Sequence, residues 1–259
     1  TDPFLGRRTR RVAALAAKAV TGADASAGYD ATAHHALARE AAAASIVLLK
    51  NDGVLPLTPE SSFVVIGELA RTPRYQGAGS SLINPTQVDN ALDEIRAIAG
   101  PQVPFAAGYS GEGDASAELT AEAVAAASAA DVAVLFLGVP AAQESEGFDR
   151  DNIELPQAQL DLLAAVTAVN SRTVVVLSNG GVVRLSGLEA FVSAIVEGWL
   201  LGQAGGGAVA DVLLGAVNPS GRLAETIPVR LEDSPAYLDF PGEHGHVRYG
   251  EGLFVGYRW

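Results

Sequence analysis

Residues 143–156, QESEGFDRDNIELP, bring together Glu144, Glu146, Asp149, Asp151 and Glu154 with a single arginine, Arg150. The stretch lies between an apolar run, DVAVLFLG, and a proline that can open a helix. Carboxylates at this density have three chemical uses. They can ligate a hard cation such as Mg²⁺ or Ca²⁺ through oxygen. One of them can donate and accept protons. Or they can form a solvated loop in which Asp149 and Arg150 pair structurally. The spacing is not that of an EF-hand loop, and composition alone favours the solvated loop.

A second stretch, RYQGAGSSLINP at 74–85, combines small residues with serines after another apolar run. Such a loop can cradle a phosphate or sugar hydroxyls. It lacks the Gly-Lys-Ser/Thr ending of a P-loop and the third glycine of the dinucleotide fingerprint, so taken alone it reads as a tight loop. GQAGGGA at 202–208 offers an anion site at a helix start, or, as the favoured reading, a place of close helix packing. His34 and His35 are adjacent on a helix and point apart, whereas His244 and His246 in HGH can share one side of an extended segment. With no cysteine and no HExxH, this is a weak zinc signal, and no metal site is expected. No GxSxG elbow is present.

The elements that must position these groups alternate along the chain. SFVVIGEL, QVPFAAGY, DVAVLFLG, RTVVVLSNG and VSAIVEGWL read as strands. TQVDNALDEIRAIAG, ELTAEAVAAASAA, PQAQLDLLAAVTAVN and the segment from GGGAVADVLL onward read as helices. HHALAREAAAASIVLLKNDG reads as one more helix, stopped at Gly53. Short continuous apolar strands between helices predict a mostly parallel sheet covered on both faces. In such sheets ligands bind at the carboxyl ends of the strands, and the loop 143–156 follows one of those ends. The opening GRRTRRVAALAAKAV reads as a helix in an arm over residues 1–33, leading into a domain over 34–259.

Composition narrows the partners. The formal net charge of −13 repels phosphate backbones, so nucleic acid is not expected. The basic run RRTRR at 7–11 reads as a solvated helix face. No apolar run is long enough for a membrane span. The chain of 259 residues starts at Thr1 and holds no methionine, so it is expected to be an excised piece whose localisation, cytoplasmic or secreted, stays open.

Together, LAREAAAASIVLLKNDGVLPL, GAGSS, ESEGFDR, NPSGRLAETIP and FPGEHGHVRYGEGLFVGYRW occur in the order seen in glycoside hydrolase family 3. The chain from about His34 onward resembles that family's second domain, and the ESEGFDR form resembles its β-glucosidase branch. The resemblance implies a three-layer α/β sandwich around a mostly parallel six-stranded sheet. It implies a preceding (β/α)₈ barrel that carries the aspartate nucleophile. It also implies that Glu146 is the general acid/base, with Glu144 as the runner-up, and that Ser80 contacts the sugar. The substrate implied is a β-glucoside or oligosaccharide, with no cofactor, and association into a homo-oligomer is open. Retaining glycosidases need two carboxyl groups roughly 5–5.5 Å apart. Crowding of carboxylates around Glu146 is expected to raise its pKa and favour the protonated form. Arg150 is expected to anchor the loop.

The sequence departs from the family pattern at Ala204, where a carboxylate often stands, and SGEGDASAE replaces a β-rich insert of many relatives. Two classes of function follow. One is the acid/base-bearing part of a retaining, exo-acting β-glycosidase of the β-glucosidase type, with β-xylosidase and α-arabinofuranosidase activities also known in the family. The other is a non-catalytic structural or sugar-binding module.

Overall fold

A computed structural model describes residues 29–58, 60–111 and 113–259. The chain forms two units, Thr1–His34 and His35–Trp259. The helix expected over residues 6–20 and the basic run at 7–11 lie outside the described residues.

The elements are α1 (Ala31–Ser45), β1 (Val47–Asn51), β2 (Phe63–Ile66), α2 (Ala91–Ala99), β3 (Phe105–Ala106), α3 (Ala117–Ser128), β4 (Val132–Gly138), α4 (Gln157–Val169), β5 (Thr173–Ser178), β6 (Ala194–Glu197) and α5 (Gly205–Leu213). The six strands lie in the order β1-β6-β5-β4-β2-β3. All neighbours pair in parallel except β1, which runs antiparallel to β6.

Alternation along β4 explains the layers. Val132, Val134 and Phe136 join one buried cluster, with Ala42 of α1, Leu92 and Ile95 of α2 and Val212 of α5. Ala133, Leu135 and Leu137 point the other way, into a cluster with Ala123 and Ala127 of α3 and Leu162 and Val166 of α4. Every residue of β4 is buried, which is why it reads as a continuous apolar run rather than an alternating one. This is the three-layer α/β sandwich around a mostly parallel six-stranded sheet.

One element differs from expectation. The stretch from 34 to 53 is not a single helix. The alanine-rich part ends at Ser45, and Val47–Asn51 forms the antiparallel edge strand β1. The β-branched and leucine run after Ser45 gains a ladder along β6, which outweighs the helical propensity carried over from the alanines. The Asn51 side chain then turns the chain, accepting from the amides of Gly53 and Leu55, each at 3.1 Å.

Two buried side chains fix where the chain leaves β4. The Gln159 amide of α4 donates to the Gly138 carbonyl at 2.9 Å, and its oxygen accepts from the Gly138 N–H at 2.8 Å. The Tyr109 hydroxyl donates to the Phe136 carbonyl at 2.8 Å. The loop 139–156 therefore starts from a pinned strand end. Among the described residues no helix is long and apolar enough to cross a membrane.

Candidate active site

The strands β2, β4, β5 and β6 are neighbours, and the segments after their carboxyl ends meet at one edge of the sheet. After β2 comes the Gly-rich loop with Arg74 and Ser80. After β4 comes the acidic loop. Asn179, Gly180 and Gly181 follow β5, and Glu197 ends β6.

Glu146 and Ser80 come together. The Ser80 amide donates to Glu146 Oε2 at 2.6 Å. Both residues are exposed. Gly79 makes the approach possible: its φ is +87°, and a Cβ there would stand 2.6 Å from Glu146 Cβ. Gly147, at φ +96°, turns the chain immediately after Glu146. The expectation of a raised Glu146 pKa is corrected. Ser80, through its hydroxyl and its amide, holds the Glu146 carboxyl below the ordinary glutamate value. The crowding seen in the sequence does not survive folding, because the neighbouring carboxylates are directed elsewhere.

Glu144 turns inward instead. Its Oε2 accepts from the Gly180 amide at 2.7 Å and from the Arg74 guanidinium. Its Oε1 accepts from the Gly181 amide and lies 3.5 Å from Arg150 Nη1. Burial pushes this carboxyl up, but the Gly180 amide, Arg74 and the Gly181 amide more than offset it, and the pKa falls below the ordinary value. Arg150 does not pair with Asp149; it reaches Glu144 and donates to the Val182 carbonyl at 3.2 Å. The structural pair expected at 149–150 is thus corrected to Arg150–Glu144, and Arg150 does anchor the loop. Glu154 pairs with Arg184 at 2.7 Å. The acidic loop therefore divides into one partly buried anchor, one exposed group on a serine amide, one ion pair and two solvated aspartates.

Glu197 is absent from the sequence reading. It is wholly buried at the end of β6. Its Oε1 accepts from the Trp199 amide at 2.8 Å, and Asn179 Nδ2 lies 3.5 Å from Oε2. Trp199 adopts φ +53°, an uncommon conformation for a bulky residue. Burial pushes the Glu197 carboxyl up to about 7; the Trp199 amide and Asn179 oppose this, while Glu225 and Glu144 add to it. The available signal was a lone carboxylate closing an otherwise apolar strand.

The raised Glu197 pKa makes a stability prediction. Between about 4.5 and about 7 the folded protein keeps a proton that the unfolded chain releases, so stability falls as pH rises through that window. The shift corresponds to roughly 3 kcal/mol. Glu197→Gln keeps the acceptor for Trp199 and removes the charge. It is expected to raise the midpoint of denaturation more at pH 8 than at pH 5, measured by urea titration of both proteins. An equal gain at both values would contradict the assignment.

The other sequence candidates resolve simply. Gly206 packs α5 onto the start of α2, where a Cβ would stand 2.5 Å from the Asp89 carbonyl oxygen, so GQAGGGA serves close packing. His35 bonds Asp89 at 2.8 Å and Gln203 at 2.9 Å. His244 and His246 sit in an exposed turn closed by the Glu243–His246 bridge. Among the described residues no group of three or more His, Asp or Glu is placed to hold a metal ion.

A profile of the glycosyl hydrolase family 3 C-terminal domain matches residues 46–257. The chain belongs to this family. The thermostable β-glucosidase B of Acetivibrio thermocellus is 48% identical over 100% of the chain and 35% of its own length. An exo-α-(1→6)-L-arabinopyranosidase of Bifidobacterium longum is 49% identical over 89% of the chain and 32% of its own length. The crystal structure of a family 3 β-glucosidase from Bifidobacterium adolescentis superposes with a TM-score of 0.85 at 50% identity, covering 90% of this chain and 35% of that one. The chain thus spans about a third of the length of these family 3 relatives.

Proposed function

We propose that this chain is the acid/base-bearing domain of a retaining, exo-acting β-glycosidase of the β-glucosidase type. Glu146 is the general acid/base, Ser80 touches the sugar, and the nucleophile comes from a preceding barrel domain. Residues 34–259 form the sandwich domain in this reading. The observation that carries it is the placement of Glu146: exposed, at the carboxyl edge of the sheet, and held on the Ser80 amide at 2.6 Å. Support comes from relatives named β-glucosidase at 48–50% identity.

The chemistry divides as follows. A barrel carboxylate attacks the anomeric carbon while Glu146 protonates the departing oxygen. Glu146 then takes a proton from water, which releases the sugar with retained configuration. As an acid, Glu146 must first be protonated, yet in this chain Ser80 favours its ionised form. Covering the loop with a barrel strips water from Glu146 and brings a second carboxylate near, and both effects raise its pKa. Leu82, Ile83 and Phe148, which flank Ser80 and Glu146, are 59%, 66% and 51% exposed, as suits a surface that another domain covers.

A second reading concerns the sugar. The 49% identity to an enzyme named exo-α-(1→6)-L-arabinopyranosidase favours an arabinopyranoside as substrate. Activity on nitrophenyl β-D-glucoside and on nitrophenyl α-L-arabinopyranoside separates the two.

The test joins residues 1–259 to a barrel domain. The chain alone is expected to release no nitrophenol, whereas the joined protein hydrolyses the glycoside with retention, seen by proton NMR of the first-formed sugar. Turnover by the chain alone that Glu146→Gln abolishes would overturn the two-domain reading, and inversion would overturn the mechanism.

A further inference from the structure

The carboxylate of Glu144 gathers three segments. Arg74 is the root of the loop that carries Ser80. Gly180 and Gly181 are the turn after β5. Arg150 closes the acidic loop on itself. All of them bond or approach the two oxygens of this one side chain. Arg74 also donates to the carbonyls of Val139 and Glu144, so it grips the backbone of the acidic loop as well as its side chain. The arginine and glutamate side chains are only 8% and 16% exposed. Glu144 stands two residues before Glu146, and two residues span at most about 7 Å of chain. The same ion pair therefore fixes both ends of the Ser80–Glu146 contact: one end through Arg74, the other through the loop backbone.

We propose that Glu144 is the positioning residue for Glu146, holding the acidic loop on Arg74 and the Gly180–Gly181 amides so that the Glu146 carboxyl stays beside Ser80. The proposal rests on the reading of Glu146 as the acid/base. A carboxylate suits the post because both of its oxygens accept. Glutamine offers one accepting oxygen and turns an NH₂ group toward donors, which loosens the loop without changing its length. Glu144 itself does not meet the reacting bond, since its oxygens are taken up by the amides and the guanidinium. A misplacement on the order of 1 Å can cost about 100-fold when a group must reach a reacting atom.

The experiment uses the complete protein that includes the barrel. Glu144→Gln is expected to lower kcat/KM for an alkyl β-glucoside about 10- to 100-fold. Activated nitrophenyl glucoside, which needs little protonation, is expected to lose less than about threefold. In a Glu146→Ala background the same substitution is expected to cost nothing more, and azide is expected to accelerate Glu146→Ala but not Glu144→Gln. Gly180→Ala is the second variant. It keeps every charge and adds a methyl 3.0 Å from Glu144 Oε2, so a smaller loss with the same leaving-group bias is expected. It decides the matter if Glu144→Gln fails to fold. Equal losses on both substrates, additive losses in the double variant, or azide rescue of Glu144→Gln would each overturn the positioning role. Failure of the underlying assignment carries a different mark: Glu146→Ala alone then keeps its alkyl-glucoside activity, which removes the positioning role with it.

Discussion

Glu146→Ala in the complete enzyme is expected to lower kcat/KM on an alkyl β-glucoside by about 10²–10⁴-fold, the usual contribution of a general acid. The loss depends on the leaving group. An alkoxide departs only with a proton, so its release suffers in full. A nitrophenolate departs readily without one, so the first step with that substrate is largely spared. On the proposed assignment the second step needs Glu146 as base, so the glycosyl-enzyme is expected to accumulate and a burst of nitrophenol to precede slow turnover. Uniform loss across leaving groups would mean that Glu146 binds sugar rather than moving a proton.

The largest expected stability effect of breaking an ion pair lies one bond behind the site. Arg74→Met removes the cation from a largely buried pair and leaves Glu144 with the two glycine amides and Arg150. Breaking a buried pair from one side costs about 3–5 kcal/mol, because the remaining charge is stranded. The surviving amide donors place the expected loss near the lower end, about 3 kcal/mol. It should appear as a lower urea midpoint in the isolated chain at pH 7. The pH dependence has a definite sign. Glu144 has a depressed folded pKa, so its contribution is present above the ordinary value of 4.5 and fades as pH falls through the folded value. The difference between parent and Arg74→Met should therefore shrink in acid. A difference that is constant with pH would point to lost packing of the arginine stem instead.

The layers were legible because their signals are local. Buried parallel strands read as continuous apolar runs, and β4, β5 and β6 fall within the stretches that predicted them. The edge strand β1 was missed because its pairing with β6 lies about 150 residues away in sequence, beyond any local pattern, while the alanines before it argued for helix. The motif register led to Glu146 and Ser80, which fold into contact. The environment of Glu146 was not legible. Which of five clustered carboxylates turns inward depends on Arg74 and on the Gly180–Gly181 turn, both distant in sequence from the acidic loop. The expected raised pKa for Glu146 failed for this reason: the nearest carboxylate is already neutralised by Arg74. Glu197 was not legible because it is the last residue of a strand, and its burial depends on groups distant in sequence such as Asn179.

The proposed role of Glu146 is tested most directly by the fate of azide added to Glu146→Ala in the chain joined to its barrel domain. If Glu146 is the acid/base, its removal opens a place beside the anomeric carbon of the glycosyl-enzyme, and azide attacks there without needing a base. The predicted result is faster turnover of a nitrophenyl β-glucoside with rising azide, and a product whose NMR spectrum is that of the β-glycosyl azide, with configuration retained. Parent enzyme and Glu144→Gln should form none. No acceleration and no glycosyl azide from Glu146→Ala, or formation of that azide by Glu144→Gln, would contradict the assignment of Glu146.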